Sequence, residues 1–158
     1  MGSASDAHLA KEALAIFKEF GVPHFARVLS AHRSPDETAA FAKGAADGGI
    51  GVIVAIAGKA AHLAGVVASH TTLPVIGVPA CGKDLGGIDA LLSTAQMPKG
   101  VPVAAVAIDG AANAALLAVR ILALEDQALA QKLSRYARTL AEKTAEADAA
   151  LQKEMEEL

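Results

Sequence analysis

The sequence has no tryptophan, one tyrosine and four phenylalanines, so aromatic residues make up only 3% of its 158 positions. A core with so few large rings has to be built mostly from small and branched aliphatics, which favours helices packed closely on a sheet. Cysteine is nearly absent. Cys81 stands alone, which excludes an internal disulfide framework and any multi-cysteine metal site, and suits a reducing cytoplasm. No run of lysine and arginine is dense enough to track a polyanion, and the formal net charge is -3, so no nucleic-acid partner is expected. Long apolar stretches are missing too: residues 50–56 and 73–79 are far too short to span a bilayer, and no basic patch followed by an apolar run opens the chain. No membrane partner is expected, and the cytoplasm is the expected compartment. No pair of histidines has metal-ligand spacing beside a carboxylate, so no metal is expected. A G-x-S-x-G elbow, a Walker A loop and a G-x-G-x-x-G fingerprint are all lacking.

What is present is a hydrophobic content of 53%, ample for one sizeable core. The length suits a single domain over residues 1–158. Short β-rich runs alternate with alanine-rich helical stretches. Residues 7–20 read as a helix, with Leu9, Ala13, Ile16, Phe17 and Phe20 on one face and Gly21 as its stop. Residues 24–29 read as a strand. Ser34-Pro35-Asp36-Glu37 then reads as an N-cap serine, a proline at the first helical position and a glutamate at N3, opening a helix to about Asp47. Strands are expected at 50–56, 73–79 and 101–107, and helices at 60–70, 88–95 and 111–124, the last capped by Asp109.

That alternation predicts an α/β fold: a three-layer αβα sandwich around a doubly wound parallel sheet, occupying residues 1–124. Residues 125–158 differ. Leu129, Leu133, Tyr136, Leu140, Ala147, Leu151 and Leu158 recur at helical spacing among many charges, which predicts a long C-terminal helix whose apolar stripe packs on a neighbouring subunit. One slot stands out. Gly2-Ser3-Ala4-Ser5-Asp6 has the make-up of a loop that follows a strand, yet only Met1 precedes it. The expectation is a sheet without its first strand, either because the true start lies upstream or because another segment fills the place.

In doubly wound sheets ligands bind outside the carboxyl ends of the strands, so the chemistry is sought in the loops there. Gly2–Asp6 offers glycine, hydroxyls and free N–H groups at a helix start, which fits an anion such as phosphate; an ordinary Ser/Asp helix cap is the competing reading. Ser30-Ala31-His32-Arg33-Ser34 sets an imidazole beside a guanidinium: His32 can move protons near neutrality and Arg33 can hold a phosphate or carboxylate bidentately. The alternative there is a solvated loop with a capping serine. In Ala57-Gly58-Lys59-Ala60-Ala61-His62, Lys59 could neutralise a carboxylate and His62 could line the pocket, while His24 and His70 read as structural or exposed.

Taken together, these loops resemble a known family. Gly2-Ser-Ala-Ser-Asp6, Ser30-Ala-His-Arg-Ser-Pro-Asp36, Ala57-Gly-Lys-Ala-Ala-His-Leu63, Leu73-Pro-Val-Ile-Gly-Val-Pro79, Asp89-Ala-Leu-Leu-Ser93, Gln96-Met-Pro98 and Asn113-Ala-Ala-Leu-Leu117 are similar, in order and spacing, to the N5-carboxyaminoimidazole ribonucleotide mutase / phosphoribosylaminoimidazole carboxylase catalytic subunit family. The resemblance implies a flavodoxin-like sandwich, assembly as a homo-octamer, no metal and no organic cofactor. It implies that Ser3 and Asp6 bind the ribose-phosphate end of an aminoimidazole ribonucleotide, helped by Ser30 and Arg33. His32 would be the catalytic acid–base, and Gly58, Lys59 and Ala60 would meet the reacting carboxylate or carbon dioxide, with His62 nearby.

The implied reaction is the mutase step of de novo purine biosynthesis, an isomerisation by decarboxylation and recarboxylation. A second reading is direct carboxylation by free carbon dioxide, a lyase reaction. Lys59 stands where the mutase pattern has glycine and the carboxylase branch a basic residue, and Ala107-Ile-Asp-Gly-Ala111 is short in the carboxylase manner. Ala61-His62-Leu63 and Gln96-Met-Pro98 are mutase-like. A third reading, a non-catalytic nucleotide-binding relative, draws on the unfilled strand position.

Overall fold

A computed structural model describes residues 1–156. It divides into two compact units, Met1–Leu122 and Ala123–Leu158. In the first, a 3-10 turn, Ala4–Asp6, leads into α1, Ala7–Phe20. The order continues α2 (Pro35–Gly44), β1 (Ile53–Gly58), α3 (Leu63–Ala68), β2 (Val75–Ala80), α4 (Ile88–Ala95), β3 (Ala104–Ala105) and α5 (Ala111–Leu122). The three strands form one parallel sheet in the order β1-β2-β3.

Alternation along β1 and β2 sorts side chains into two layers. Ile56, Ile76, Val78 and Ala80 pack with α1 and α5, through Leu9, Ala13, Ala114 and Ala118. Ile53, Ala55 and Val75 pack on the opposite face with α2 and α3, through Ala42, Leu63, Ala64 and Val67. The result is the expected αβα sandwich. Alanine and valine do most of the filling, as the lack of aromatics required, and β2 is buried along its whole length. Close packing is tightest at Gly77, where an added Cβ would overlap Thr94 Cγ2 and approach Val103 and Ala64.

The expected helices at 7–20 and 88–95 match α1 and α4 at both ends. Gly21 takes φ 73 and closes α1 as anticipated. Other expectations need correction. Residues 24–29 form no strand of the sheet; their main chain is tied through Met1, whose amino group donates to Arg27 O at 2.8 Å and whose carbonyl accepts from Leu29 N at 2.9 Å. The strand at 101–107 shrinks to Ala104–Ala105, since Pro102 has no N–H to give, although Val106 N and Asp109 N still bond to Gly77 O and Pro79 O. Ser34 holds the N-cap position of α2, but its hydroxyl turns back to Ser30, accepting from Ser30 N at 3.0 Å and donating to Ser30 O at 3.2 Å. Asp109 does not spend its side chain on α5: its carboxylate accepts from Cys81 N at 2.8 Å.

The second unit carries α6, Gln127–Glu156. Asp126 starts it by accepting from Leu129 N at 3.0 Å. Leu140, Leu151 and Met155 are about half exposed along it; Leu158, the last member of the expected stripe, lies outside the described residues. Among the described residues no helix is long and apolar enough to cross a membrane.

Candidate active site

The site is built from turns at the carboxyl ends of the parallel segments, and each turn is closed by its own short side chains. In the first turn, Ser3 is extended (φ -151) and accepts from Ser5 N at 3.3 Å. The Ser5 hydroxyl lies 2.9 Å from both Ser3 Oγ and Asp6 Oδ1, so it ties together the two residues expected to hold substrate. Ser5 itself was not singled out by the sequence. Gly2 fixes this turn against the sheet, donating to Ile56 O at 2.9 Å.

The second turn starts and ends on serine. Ser34 clamps the main chain of Ser30 at both groups, which leaves Ala31, His32 and Arg33 as a short arch above α2. Arg33 is braced from inside the arch: its N and Nε donate to Ser30 Oγ at 3.2 and 3.3 Å, and Nη2 donates to Gly2 O at 3.0 Å. The guanidinium thereby joins the second turn to the first. It has five N–H groups, so the remaining donors can meet an anion. Ser30, expected to help hold substrate, thus supports Arg33.

The third turn follows β1. Gly58 sits where a Cβ would come within 3.3 Å of Ala80 O on the neighbouring strand. Lys59 adopts φ 57, the left-handed region that suits glycine rather than a long side chain. Its ammonium lies 3.8 Å from Asp84 in the loop after β2, with both side chains about four-fifths exposed. Ala60 O accepts from His62 N at 2.8 Å, turning the chain into α3. That turn brings His62 to His32: Nδ1 and Nε2 are 2.9 Å apart and the rings meet edge to face.

The structure therefore joins Ser3 with Asp6, Ser30 with Arg33, Arg33 with the Gly2 turn, and His32 with His62. Lys59 alone is engaged outward, toward Asp84. Sequence patterns do not mark Asp84, and they mark Asp109 only as a helix cap. Asp109 takes φ 56 and links the loops after β2 and β3, a bond between distant loops for which no local motif exists. Burial lowers the Met1 amine below its ordinary value of 8.0, against an opposing pull from Asp6. Among the described residues no three His, Cys, Asp or Glu side chains gather as a metal cluster would need.

The chain is similar to known proteins over most of its length. The family model described as AIR carboxylase matches residues 1–143. The N5-carboxyaminoimidazole ribonucleotide mutase of Pyrococcus horikoshii is 53% identical over 92% of this chain and 82% of its own length. The protein of the same name from Saccharolobus solfataricus is 56% identical over 86% of each chain. Among solved structures, PurE of Treponema denticola superposes with a TM-score of 0.85 and 30% identity, covering 96% of this chain and 94% of that one.

Proposed function

The chain belongs to the AIR carboxylase family, and on that footing we propose that it converts N5-carboxyaminoimidazole ribonucleotide into its C4-carboxylated isomer in de novo purine biosynthesis. The observation that carries the reading is the meeting of His32 with His62 beside an arginine braced between two turns. That arrangement sets an anion grip and a proton carrier in adjoining turns.

The chemistry balances within the substrate. The N–CO2 bond breaks and the exocyclic nitrogen takes a proton; the released carbon dioxide is attacked by C4, a new C–C bond forms, and C4 gives up its proton. His32 is the group that carries that proton from C4 to nitrogen. Between the two steps carbon dioxide has to stay beside the ring, which is catalysis by proximity. The turn Gly58–Ala60, small-sided except for Lys59, offers room for it. Ser3, Asp6 and Arg33 hold the ribose-phosphate end, with Ser30 bracing Arg33 and His62 lining the cleft beside His32.

Lys59 favours a second reading, in which carbon dioxide comes from solution, because a cation near that turn can attract bicarbonate or a carboxylate. Supplying each substrate separately divides the two. Turnover at low bicarbonate with the N-carboxylated substrate alone supports the mutase; turnover only with aminoimidazole ribonucleotide and added bicarbonate replaces it by the carboxylase. We further propose that the chain works as a homo-octamer in the cytoplasm, with α6 as subunit contact. A light-scattering mass checks the assembly, and its loss on removing residues 125–158 checks the contact.

A further inference from the structure

The strands β1 and β2 end side by side, with Gly58 paired to Ala80, so the turns that follow them leave the sheet together. The first is the turn of residues 58–60, which offers room for carbon dioxide. The second, residues 81–87, is built in two parts. Its stem is pinned. Cys81 N donates to Asp109 Oδ1 at 2.8 Å. Gly87 is buried so close to the loop after β3 that an added Cβ would stand 2.8 Å from Ile108 Cγ2. Between those two points residues 82–86 close on themselves, Gly86 N donating to Gly82 O at 3.0 Å. This closed turn stands clear of its surroundings, because a Cβ added at Gly82 or at Gly86 would meet nothing within 4 Å.

A free tip on a pinned stem is the build of a hinged cover. The pivot lies at Gly86 and Gly87, which hold φ of 59 and 86, a region that glycine enters and leaves without strain. Lys83, Asp84 and Leu85 at the tip are all exposed, Leu85 by 62%. One exposed leucine means little alone. Here it follows Asp84, whose carboxylate reaches across to Lys59 Nζ in the turn after β1, at 3.8 Å. The ion pair ties the leucine-bearing tip to that turn. With both side chains about four-fifths exposed it is weak, so it opens as readily as turnover requires.

Carbon dioxide gives this arrangement its use. The molecule is small, uncharged and without a hydrogen to donate, so neither a guanidinium nor an imidazole grips it firmly. What detains it is a cover that excludes water and closes the way out. An apolar side chain laid over small residues does this, and burial of Leu85 favours the closed position.

We propose that residues 82–86 form a lid over the turn of residues 58–60, with Leu85 as the covering side chain. Asp84 is a positioning residue that acts through Lys59, since their pairing brings the tip down in register. The lid rests on the mutase reading, and its task is to keep released carbon dioxide beside the imidazole until C4 takes it.

The test is conversion of the unlabelled N-carboxylated substrate in ¹³C-bicarbonate buffer, with carbonic anhydrase present to keep the dissolved carbon dioxide labelled. Mass spectrometry at low conversion reads the label in the C4 carboxylate. The wild-type product should carry little. Leu85→Ala and Leu85→Gln should each raise the labelled fraction by about fivefold or more, with an unchanged Tm. Asp84→Asn should raise it less. Leu92→Ala, an equally exposed leucine on α4, should leave it at the wild-type level. Conversion with the wild-type label in both Leu85 variants overturns the lid and leaves the mutase standing. So does a wild-type product already labelled to the level of the buffer. No conversion of this substrate by the wild type overturns the mutase reading, and the lid with it.

Discussion

His32 Nε2 and His62 Nδ1 stand 2.9 Å apart although the residues are separated by 30 positions. At that distance one nitrogen carries the hydrogen and the other the lone pair, so the two rings fix each other's tautomer. With the hydrogen on His32 Nε2, the opposite nitrogen of His32 stays free to accept a proton. The resulting imidazolium then keeps its bond to His62, now charge-assisted. On the proposed reading, His62 acts as a positioning residue for His32. His62→Phe should lower kcat about tenfold with little change in KM, and His62→Asn, which retains a hydrogen-bonding group, should recover much of it. His32→Asn should cost roughly 100- to 10,000-fold. The ¹⁵N spectrum of His32 should show one dominant tautomer that is lost in His62→Phe. An unaltered tautomer and kcat in that variant would remove His62 from the mechanism.

Arg33 reaches Gly2 O and Ser30 Oγ while leaving other N–H groups open. A planar fork is needed to brace two turns and hold an anion together, which a lysine cannot do. Arg33→Lys should thus raise KM by about tenfold or more and leave kcat within a few-fold. Ser30→Ala, which removes only the brace, should have a smaller effect in the same direction. If Arg33→Lys changes kcat alone, the grip on the ribose-phosphate lies elsewhere.

Lys59 is held in the left-handed region, where a side chain costs about 1 kcal/mol. Its ion pair with Asp84 is too exposed to offset that. Lys59→Gly should therefore raise stability by about 1 kcal/mol in urea unfolding while lowering kcat/KM several-fold. A stabilised and fully active variant would show that the cation has no part in catalysis.

Much of this was readable in advance, for reasons the structure makes plain. Periodicity locates α1 and α4 because their apolar faces are continuous and a glycine bounds each, Gly21 after α1 and Gly87 before α4. His32, Arg33 and Ser30 were marked because the motif that brings them together is local. The strands were harder. Residues 24–29 have the composition of a strand, but ladder bonds depend on a neighbour, and among the described residues Met1 provides it. Side-chain partners were hardest. Ser34 reads as a cap and bonds backward to Ser30; Asp109 reads as a cap and bonds across to Cys81. Both choices depend on tertiary neighbours that no spacing rule contains.

Gly77 tests the packing of the sheet itself. On β2 it faces Thr94, Val103 and Ala64 of neighbouring segments, and a single methyl group there would overlap Thr94 Cγ2. Thr94 is buried and its hydroxyl is committed to Ala90 O at 2.8 Å, so it has little freedom to retreat. Gly77→Ala should cost about 1–3 kcal/mol, read as a lower urea midpoint with unchanged m-value. A neutral result would mean that α4 can slide on the sheet.

The Met1 amine gives the stability a definite pH dependence. Burial lowers its folded-state value below 8.0, whereas the unfolded chain keeps the ordinary one. Between those two values the unfolded chain binds more proton than the folded one, so stability rises with pH across that window. Above 8.0 the contribution is level, because both states are neutral, and below the lowered value it is level again with the cost fully present. Acetylating the amine removes the charge while leaving an N–H for Arg27 O. Subtracting the urea midpoints of the acetylated chain from those of the free chain, pH by pH, isolates this one group from the histidines. The difference should be most negative in mild acid and shrink as pH approaches 8. A difference that grows with pH would place the amine in a stabilising bond as a cation.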